Sequence, residues 1–311
     1  MTPIKKLKII IFFLVFLNLI SCNHLFYYPD SNIWLTPQKL KLEYKEVTIK
    51  VNENVQVFGW VIRNKMSKTY GTVNQFHGNA GNISTHFLYL SWLVNHGYDL
   101  FIFDYPGYGK SSGEAIKEDI FKDSKLVLEW VQNNIDTKNL FLLGQSLGGA
   151  VLVPVYTESK INNVRGVILD STFSSYRYIT REKLASIWLT WPFQWPLGFL
   201  VSDDYSPINY IRKISVPIIN FHSELDPVVS FTTGNLLFEE ANEPKQLYKL
   251  INSGHCEAFI MNDDQYRRRL LEFLCENLAD NNNLCKNDLK KLENSYIKSG
   301  RDAYNEILNQ K

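Results

Sequence analysis

The chain has 311 residues, of which 45% are apolar and 21% charged, and its formal net charge is +1 at neutral pH. This length suits one large α/β domain or two smaller ones, and the composition is that of a globular protein that buries a full core. A near-neutral charge excludes the strongly basic surface that nucleic-acid binding requires, so we expect no nucleic-acid partner.

The first residues carry the pattern of a secretory signal. Lysines precede a short apolar run, Ile9–Ile20, which fits the hydrophobic region of a signal peptide better than a membrane span. The run ends in Leu19-Ile20-Ser21-Cys22, which resembles the lipobox of bacterial lipoproteins. The resemblance implies cleavage of a signal peptide over 1–21 and a membrane anchor at lipidated Cys22. An uncleaved N-terminal anchor with an incidental cysteine is the alternative.

Three cysteines remain besides Cys22, so they cannot all pair with one another. Cys275 and Cys285 could form a local disulfide in an oxidising compartment, although their spacing alone leaves this open. The sequence has no Cys-x-x-Cys motif and no His-x-x-x-His cluster, so we predict neither a metal site nor another cofactor.

Strand and helix patterns alternate through most of the chain. After a leader over 22–44, two β-rich runs predict a hairpin, and helical spacing follows over Ile83–Asn95 and Glu118–Asn134. This alternation predicts an α/β fold over about 45–278, with a mostly parallel central sheet and helices on both faces. The predicted strands are Lys45–Val51, Val55–Arg63, the runs that end at His77, Asp104, Gln145, Asp170 and Ser223, and Lys245–Ile251.

The ends of these strands carry polar and glycine-rich segments. In an open parallel sheet, ligands bind beyond the carboxyl ends of the strands. His77-Gly78, Asp104–Gly107, Gly144–Gly149 and Asp226 all follow predicted strands. We therefore expect one functional site at this edge of the sheet.

Two segments fall outside the alternation. The long connection after Asp170 is rich in tryptophan, phenylalanine and proline, and such connections are usually functional in compact domains. We predict a cap over 171–204 with an apolar underside; a surface helical insert packed on the sheet is the alternative. Apolar residues at helical spacing over Asp288–Leu308 predict one or two amphipathic helices in a C-terminal extension, 279–311, that docks on the domain.

The segment Gly144–Gly149, read GQSLGG, fits the pattern G-x-S-x-G. It follows a predicted strand and precedes a helix-like run, which is the context of a nucleophile elbow, a tight turn that lifts a serine hydroxyl above the sheet. Glycines flank the serine because such a turn leaves little space for side chains. Ser146 is therefore the predicted nucleophile, and Leu147 is expected to supply one backbone N–H to an oxyanion hole.

A serine hydroxyl needs a base, which after a nucleophile elbow is a histidine that follows an acid in the chain. Only His222 and His255 follow Ser146. His255 lies in a turn beyond the last strand and is the predicted base, whereas His222 ends a strand and is assigned a structural role. Asp226 follows that strand and is the predicted acid. Two other carboxylates remain as rivals, Glu224 and Asp170.

With these three residues in this order, the chain resembles the serine hydrolases of the α/β-hydrolase superfamily. More narrowly, it resembles the subgroup with HGNAGN after the third strand and D-Y-x-G-Y-G after the fourth. Here these motifs are His77–Asn82 and Asp104–Gly109. The resemblance covers about residues 26–278 and implies the hydrolysis of esters or thioesters through an acyl-enzyme.

The same resemblance implies roles for the loop after the third strand. Asn79 is expected to supply the second oxyanion N–H, by resemblance to the His-Gly-x pattern, with Ala80 as the alternative. His77 precedes the nucleophile, so it is expected to orient this loop rather than act as the base, with support from Gly78 and Tyr105.

We therefore predict a membrane-tethered serine hydrolase in the bacterial cell envelope, acting on a small-molecule or lipid-like acyl substrate. Asn23 follows Cys22 and, by resemblance to bacterial sorting rules, favours the outer membrane. Two alternatives stay open: a serine peptidase, and a non-catalytic lipoprotein that uses the hydrolase fold as a binding scaffold.

Overall fold

The computed structural model describes residues 26–135, 138–261, 263–279, 283–292 and 295–309. The predicted signal peptide over 1–21 and the predicted lipidation site Cys22 lie outside the described residues. Within the described ranges, no helix is both long and apolar enough to cross a membrane.

An eight-stranded sheet forms the centre of the domain. The strands lie in the spatial order β8-β7-β6-β5-β3-β4-β2-β1, and β2 pairs antiparallel with β1 and β4, whereas the other neighbours are parallel. The predicted α/β fold with a mostly parallel sheet is confirmed. The strands in chain order are β1 (Tyr44–Lys50), β2 (Gln56–Ile62), β3 (Gly71–Phe76), β4 (Tyr98–Phe103), β5 (Leu140–Gln145), β6 (Val164–Asp170), β7 (Ile218–Ser223) and β8 (Lys245–Leu250).

β4 and β5 are mostly apolar because both faces of the sheet are covered, whereas β3 and β7 also bury polar side chains such as Asn74 and Asn220. β3, β4, β5 and β7 are buried at every residue. In β5, Leu140 and Leu142 pack into the apolar cluster on one face, and Phe141 and Leu143 pack into the cluster on the other. A strand buried on both sides has no solvent face to keep polar, which explains the continuous apolar runs in the sequence.

Helices connect the strands and cover the sheet. The predicted helix over Ile83–Asn95 is instead α1 followed by two 3₁₀ turns, Phe87–Tyr89 and Ser91–His96. Phe87, Leu90 and Leu93 are fully buried at a spacing of three residues, which suits the 3₁₀ repeat. The helices are α1 (Ile83–His86), α2 (Lys117–Asn134), α3 (Leu147–Glu158), α4 (Tyr176–Ala185), α5 (Gln194–Phe199), α6 (Phe231–Glu240), α7 (Gln265–Glu276), α8 (Asn283–Lys291) and α9 (Gly300–Leu308).

The segment before β1 is attached to the loop after β3. Tyr28–Pro29 forms a short parallel ladder with Ala80–Gly81. The Tyr28 N–H also donates to Asn79 Oδ1 over 2.8 Å, and Asn82 Nδ2 donates to the Asp30 carbonyl over 2.8 Å. The leader therefore fixes one side of the loop that carries the HGNAGN motif.

The connection between β6 and β7 contains α4, the 3₁₀ turn Trp191–Phe193 and α5. The aromatic rings of this connection lie on the outside of the protein, so they do not form the apolar underside that the sequence predicts for the cap. Trp188 is 85% exposed and four neighbouring aromatic residues are more than half exposed. The inner side of the cap is instead occupied by aliphatic residues of α4, so the packing of α4 on the domain turns the aromatic rings outward. The other four aromatic residues are Trp191, Phe193, Trp195 and Phe199.

The C-terminal extension contains α8 and α9 and packs on the domain through α7. Arg267 of α7 is fully buried and donates from Nε to the Ile297 carbonyl over 2.7 Å. Its Nη1 donates to the carbonyls of Met261 and Phe259 over 2.8 and 3.2 Å, and its Nη2 donates to the Tyr296 hydroxyl over 3.2 Å. One buried guanidinium thus joins the extension to the last loop of the domain.

A disulfide joins Cys275 of α7 to Cys285 of α8, the pairing that the spacing left open. Cys256 is a buried free cysteine.

Candidate active site

Ser146 occupies the turn between β5 and α3. Its backbone has φ 52° and ψ −117°, a combination that a residue with a side chain rarely adopts. The flanking glycines follow from close packing: a Cβ on Gly144 would overlap Gly149, and a Cβ on Gly148 would overlap the Phe76 carbonyl. The sequence pattern therefore forms a strained elbow, in which a serine is held at the carboxyl end of the sheet.

His255 and Asp226 form a hydrogen-bonded pair beyond β7 and β8. His255 Nδ1 lies 2.7 Å from Asp226 Oδ2, and the other carboxylate oxygen accepts the N–H groups of Val228 and Val229 over 2.8 and 2.9 Å. Burial alone would raise the pKa of Asp226, but the hydrogen bonds from His255 and the two backbone N–H groups outweigh it and hold the pKa below its usual value. Asp226 is therefore a fixed negative charge that can orient and stabilise a protonated histidine.

The structure places the two rival acids elsewhere. Glu224 is exposed and pairs with Lys249 over 2.9 Å. Asp170 is buried beneath the elbow, where Gln145 Nε2 donates to it over 3.2 Å, and burial raises the pKa of Asp170 to about 6. His222 is also buried, and its Nε2 lies 2.9 Å from the Val229 carbonyl. Asp226 is therefore the carboxylate that His255 contacts.

The backbone N–H groups of Leu147 and Asn79 both lie at the Ser146 side of the sheet. Neither N–H donates a hydrogen bond to an acceptor among the described residues. The Asn79 side chain is fixed by two hydrogen bonds: its Oδ1 accepts the Tyr28 N–H over 2.8 Å and the Tyr108 hydroxyl over 3.3 Å. Ala80, by contrast, lies in the short ladder with Tyr28, which favours Asn79 for the second N–H.

His77 lies behind this loop and has no exposed surface. Its Nδ1 lies 2.7 Å from the Gly78 carbonyl and its Nε2 lies 3.6 Å from Asp104 Oδ1. The Tyr105 hydroxyl donates to the His77 carbonyl over 3.0 Å, and the two rings pack with centroids 4.4 Å apart and planes tilted by 38°. Burial, with His86 as a lesser cause, lowers the pKa of His77 well below its usual value, so the ring is neutral.

Ser146 and His255 line one cavity of about 1070 Å³, together with Gly78, Asn79 and Leu147. No hydrogen bond joins Ser146 Oγ to His255 among the described residues; such contacts often shorten only when substrate binds. His77, Tyr105 and Asp226 lie outside the lining and support it from behind. We call this space the Ser146 cavity.

The cap and the C-terminal extension complete the walls of the Ser146 cavity. Lys183 and Leu184 of α4 line it from one side, and Arg301, Tyr304 and Asn305 of α9 line it from another. The sequence reasoning gave none of these residues a function. The amphipathic pattern of α9 indicated that it would dock but carried no signal for where its polar residues would lie.

The side chains of the described residues offer no group of three or more His, Cys, Asp and Glu that could hold a metal ion. The polar groups that the described residues place at the site include a serine, a histidine paired with a carboxylate, and two backbone N–H groups.

The chain is similar to known proteins in sequence and in fold. The family described as serine aminopeptidase, S33, matches residues 67–197. The chain is 32% identical to the protein YfhR of Escherichia coli strain K12 over 289 residues, which cover 90% of this chain and 97% of YfhR. It is 26% identical to the α/β-hydrolase domain-containing protein WAV2 of Arabidopsis thaliana, over 77% of this chain and 81% of WAV2.

Among solved structures, the esterase Pf2001 of Pyrococcus furiosus superposes with a TM-score of 0.66 at 23% identity, over 82% of this chain and 98% of Pf2001. That likeness concerns the fold. Together with the strand order, the elbow and the extended match to YfhR, it identifies the chain as a member of the α/β-hydrolase superfamily, in a family that it shares with YfhR.

Proposed function

We propose that this protein is a serine hydrolase that cleaves carboxylic ester or thioester bonds through a Ser146-His255-Asp226 triad. The observation that carries the proposal is the 2.7 Å contact between His255 Nδ1 and Asp226 Oδ2, beside a cavity that His255 shares with Ser146. The esterase fold of the similar Pf2001 structure supports the same reaction class.

In the proposed reaction, Ser146 Oγ attacks the acyl carbon and His255 Nε2 accepts the hydroxyl proton. The Asp226 carboxylate holds Nδ1–H and stabilises the imidazolium that forms. His255 then gives the proton to the leaving alcohol or thiol, which leaves an acyl group on Ser146. Water, deprotonated by the same imidazole, releases the acid and restores the serine.

The N–H groups of Leu147 and Asn79 would hold the negative oxygen of the tetrahedral intermediate. Both residues line the Ser146 cavity, and neither N–H is engaged among the described residues. Removal of one such donor typically costs about 3 kcal/mol of transition-state stabilisation.

A fluorophosphonate probe tests the nucleophile directly. The full chain should be labelled, and Ser146→Ala should abolish labelling, whereas Ser186→Ala, at an exposed serine of the cap, should leave the rate unchanged. Absence of labelling in the folded wild-type protein would instead support a non-catalytic binding scaffold.

A serine peptidase is the second candidate, because the matching family is described as serine aminopeptidase, S33. A series of 4-nitrophenyl esters with increasing acyl length, measured beside aminoacyl 4-nitroanilides, separates the two. Hydrolysis of the esters alone supports the esterase. Comparable turnover of the anilides would favour the peptidase.

We also propose that lipidated Cys22 tethers the enzyme to the bacterial cell envelope, on the outer membrane rather than the inner. The lipobox-like segment and Asn23 after it support this proposal. Metabolic labelling with a fatty-acid analogue should modify the wild-type protein and not Cys22→Ala, and membrane fractionation should place the labelled protein in the outer membrane. An unprocessed, unlabelled Cys22 in a mass spectrum would refute the tether.

A further inference from the structure

The C-terminal helix α9 forms part of the wall of the Ser146 cavity. Arg301, Tyr304 and Asn305 of α9 line the same space as Ser146 and His255. Arg301 also lies close enough to Tyr89, another lining residue, to act on its ionisation. A helix far from Ser146 in sequence therefore places an arginine in the wall of the cavity that Ser146 lines.

Close packing and hydrogen bonds hold α9 in its position. Gly300 is buried so closely against the 3₁₀ turns that a Cβ there would overlap the Leu88 carbonyl and Ser91 Oγ. Ser299 and Asp302 form a capping box at the start of the helix. Together with the hydrogen bond from Arg267 to the Ile297 carbonyl, these contacts fix where Arg301 emerges.

The charged side chains that line the Ser146 cavity are cations, and outside the lining Asp170 and Glu257 also act on the ionisation of Tyr89. The lining of the cavity among the described residues includes the cations Arg301 and Lys183 but no aspartate or glutamate. No carboxylate of the described residues pairs with Arg301, and Lys183 Nζ makes only a 3.4 Å hydrogen bond to the Pro227 carbonyl. Much of the remaining wall is apolar, for example Leu88, Phe173 and Leu184, which suits an acyl chain.

From this arrangement we propose that the substrate is an acyl ester that carries an anionic group, a phosphate or a carboxylate, and that Arg301 recognises this group. The inference rests on the proposed serine-hydrolase function and specifies its substrate class. A guanidinium binds either anion through two parallel hydrogen bonds, whereas the apolar wall takes the hydrocarbon. Lys183 adds a second positive charge from the cap.

Two matched substrate pairs test the inference. One pair is the 4-nitrophenyl monoester of adipic acid and 4-nitrophenyl hexanoate, which differ in a terminal carboxylate. The other is a lysophosphatidylglycerol and a monoacylglycerol of the same chain. We expect the wild-type kcat/KM to favour the anionic member of at least one pair about tenfold, and that pair identifies carboxylate or phosphate as the group.

Arg301→Gln should remove this preference and change kcat/KM for the neutral member by less than about twofold, and Arg301→Lys should retain part of it. Lys290→Gln, at an exposed cation of α8 outside the cavity lining, is the control and should behave as wild type. Equal turnover within both pairs, or a preference that survives in Arg301→Gln, would overturn the inference and leave the hydrolase intact.

Protection of Ser146 from the fluorophosphonate gives a second readout that needs no turnover. Octyl phosphate should slow labelling at about tenfold lower concentration than octyl glucoside, and Arg301→Gln should equalise the two. Equal protection in the wild type counts against Arg301, whereas loss of labelling altogether counts against the proposed function.

A separate observation concerns the outer side of the cap. The segment Ser186–Leu200 contains no charged residue, and five of its aromatic side chains are more than half exposed. With 150–250 Å² per aromatic side chain, this amounts to on the order of 600 Å² of exposed aromatic surface, at the upper end for a soluble monomer. We call Trp188, Trp191, Phe193, Trp195 and Phe199 the aromatic face.

The described part of the chain begins beside the cap that carries the aromatic face. Phe26, the first described residue, packs on Tyr176 at the start of α4 with ring centroids 5.1 Å apart. The adjacent Arg177 has its guanidinium 5.6 Å from the centroid of the Phe199 ring. Cys22 precedes Phe26 by four residues, so even a fully extended chain places it within about 14 Å of Phe26. A lipid on Cys22 would therefore bring the cap to the bilayer.

We infer that the aromatic face docks on the lipid bilayer, with its tryptophans in the headgroup region that such side chains favour. The full lipidated protein should be reconstituted into phosphatidylcholine and phosphatidylglycerol vesicles with brominated acyl chains. Bromine should quench the tryptophan fluorescence, and the triple variant Trp188→Ser, Trp191→Ser, Trp195→Ser should lose the quenched fraction. Trp130→Phe, at a partly buried tryptophan of α2, should keep it.

Two measurements distinguish docking of the aromatic face from anchoring by the lipid on Cys22. Vesicle flotation depends on the lipid of Cys22 and reports on the tether, whereas quenching reports on the cap. Unchanged fluorescence in floated wild-type protein would overturn the docking, and a mass twice that of the monomer in mild detergent would then assign the aromatic face to a second copy of the chain.

Discussion

Two aspartates at the carboxyl ends of the strands contact histidines: Asp226 contacts His255 and, at 3.6 Å, the buried His222, whereas Asp104 contacts His77. The pairs His255–Asp226 and His77–Asp104 differ in exposure and in electrostatics. His255 contacts Asp226 at 2.7 Å, keeps 19% of its side chain exposed and lines the Ser146 cavity. His77 lies 3.6 Å from Asp104, and both side chains are completely buried. The first pair can reach a substrate and the second cannot.

Their electrostatics differ in the same direction. The Asp226 carboxylate accepts hydrogen bonds from His255 and from two backbone N–H groups, and its pKa stays below the usual value despite burial. Asp104 accepts the Ile83 N–H over 2.8 Å, but burial dominates and raises its pKa to about 7. The comparison teaches that several donors can keep a buried carboxylate ionised, and that burial with fewer donors favours the neutral forms of both partners.

The largest difference between the two pairs should appear on replacement of the histidines. His255→Gln removes the proposed base, so kcat/KM for a 4-nitrophenyl ester should fall by about 10⁵-fold. His77→Gln lies behind the loop and should reduce kcat/KM by less than about tenfold per folded molecule, counted by fluorophosphonate titration. Similar losses in both variants would show that the two pairs are not functionally distinct.

Replacement of the carboxylates should give the next largest contrast. Asp226→Asn leaves the His255 imidazole without its anionic partner, and kcat should fall by about 10⁴-fold with little change in fold. Asp104→Asn keeps a neutral hydrogen-bonding group and should change kcat by less than about threefold. Steady-state kinetics with circular dichroism checks both, and near-full turnover of Asp226→Asn would refute its role as the acid.

Asp104 should instead make stability depend on pH. Its pKa is about 7 when folded and about 4 when unfolded, so between these values the folded protein holds a proton that the unfolded chain has released. The free energy of unfolding should therefore fall as pH rises from 4 to 7, by on the order of 3 kcal/mol from this group. Urea unfolding across this range should show a smaller fall in Asp104→Asn, and parallel curves would contradict the prediction.

The smallest expected effect concerns the ring that supports His77. Tyr105→Phe leaves the buried His77 carbonyl without its 3.0 Å donor and should lower the free energy of unfolding by about 1 kcal/mol. The value of kcat/KM should change by no more than about twofold when it is measured under conditions in which both proteins are fully folded. A loss of more than a hundredfold in kcat would mean that this support controls the oxyanion loop.

The elements that local chemistry dictates could be predicted from the sequence. The elbow around Ser146 needs glycines at fixed positions, and buried parallel strands need continuous apolar runs, so both leave a pattern in the chain. The partners Asp226 and His255 followed from chain order after the elbow, and the structure brings their side chains together.

What depends on tertiary docking could not be predicted. The sequence shows that the cap is rich in aromatic residues. It does not predict which side of the cap faces solvent, because an irregular insert has no regular spacing of apolar residues. Arg301 enters the Ser146 cavity only because α9 is held by Gly300 and Arg267, and neither contact has a sequence signature. The break after α1 likewise reflects burial of Phe87, Leu90 and Leu93 against the sheet.

The buried guanidinium of Arg267 has a consequence for cooperativity. Two of its partners, the Ile297 carbonyl and the Tyr296 hydroxyl, belong to the extension, and the other two belong to the loop that follows His255. If the extension detached, a positive charge inside the protein would lose half of its hydrogen-bond acceptors, at a cost of several kcal/mol. The backbone amides of α9 should therefore exchange with solvent through the same rare openings as those of α7, as one unfolding unit.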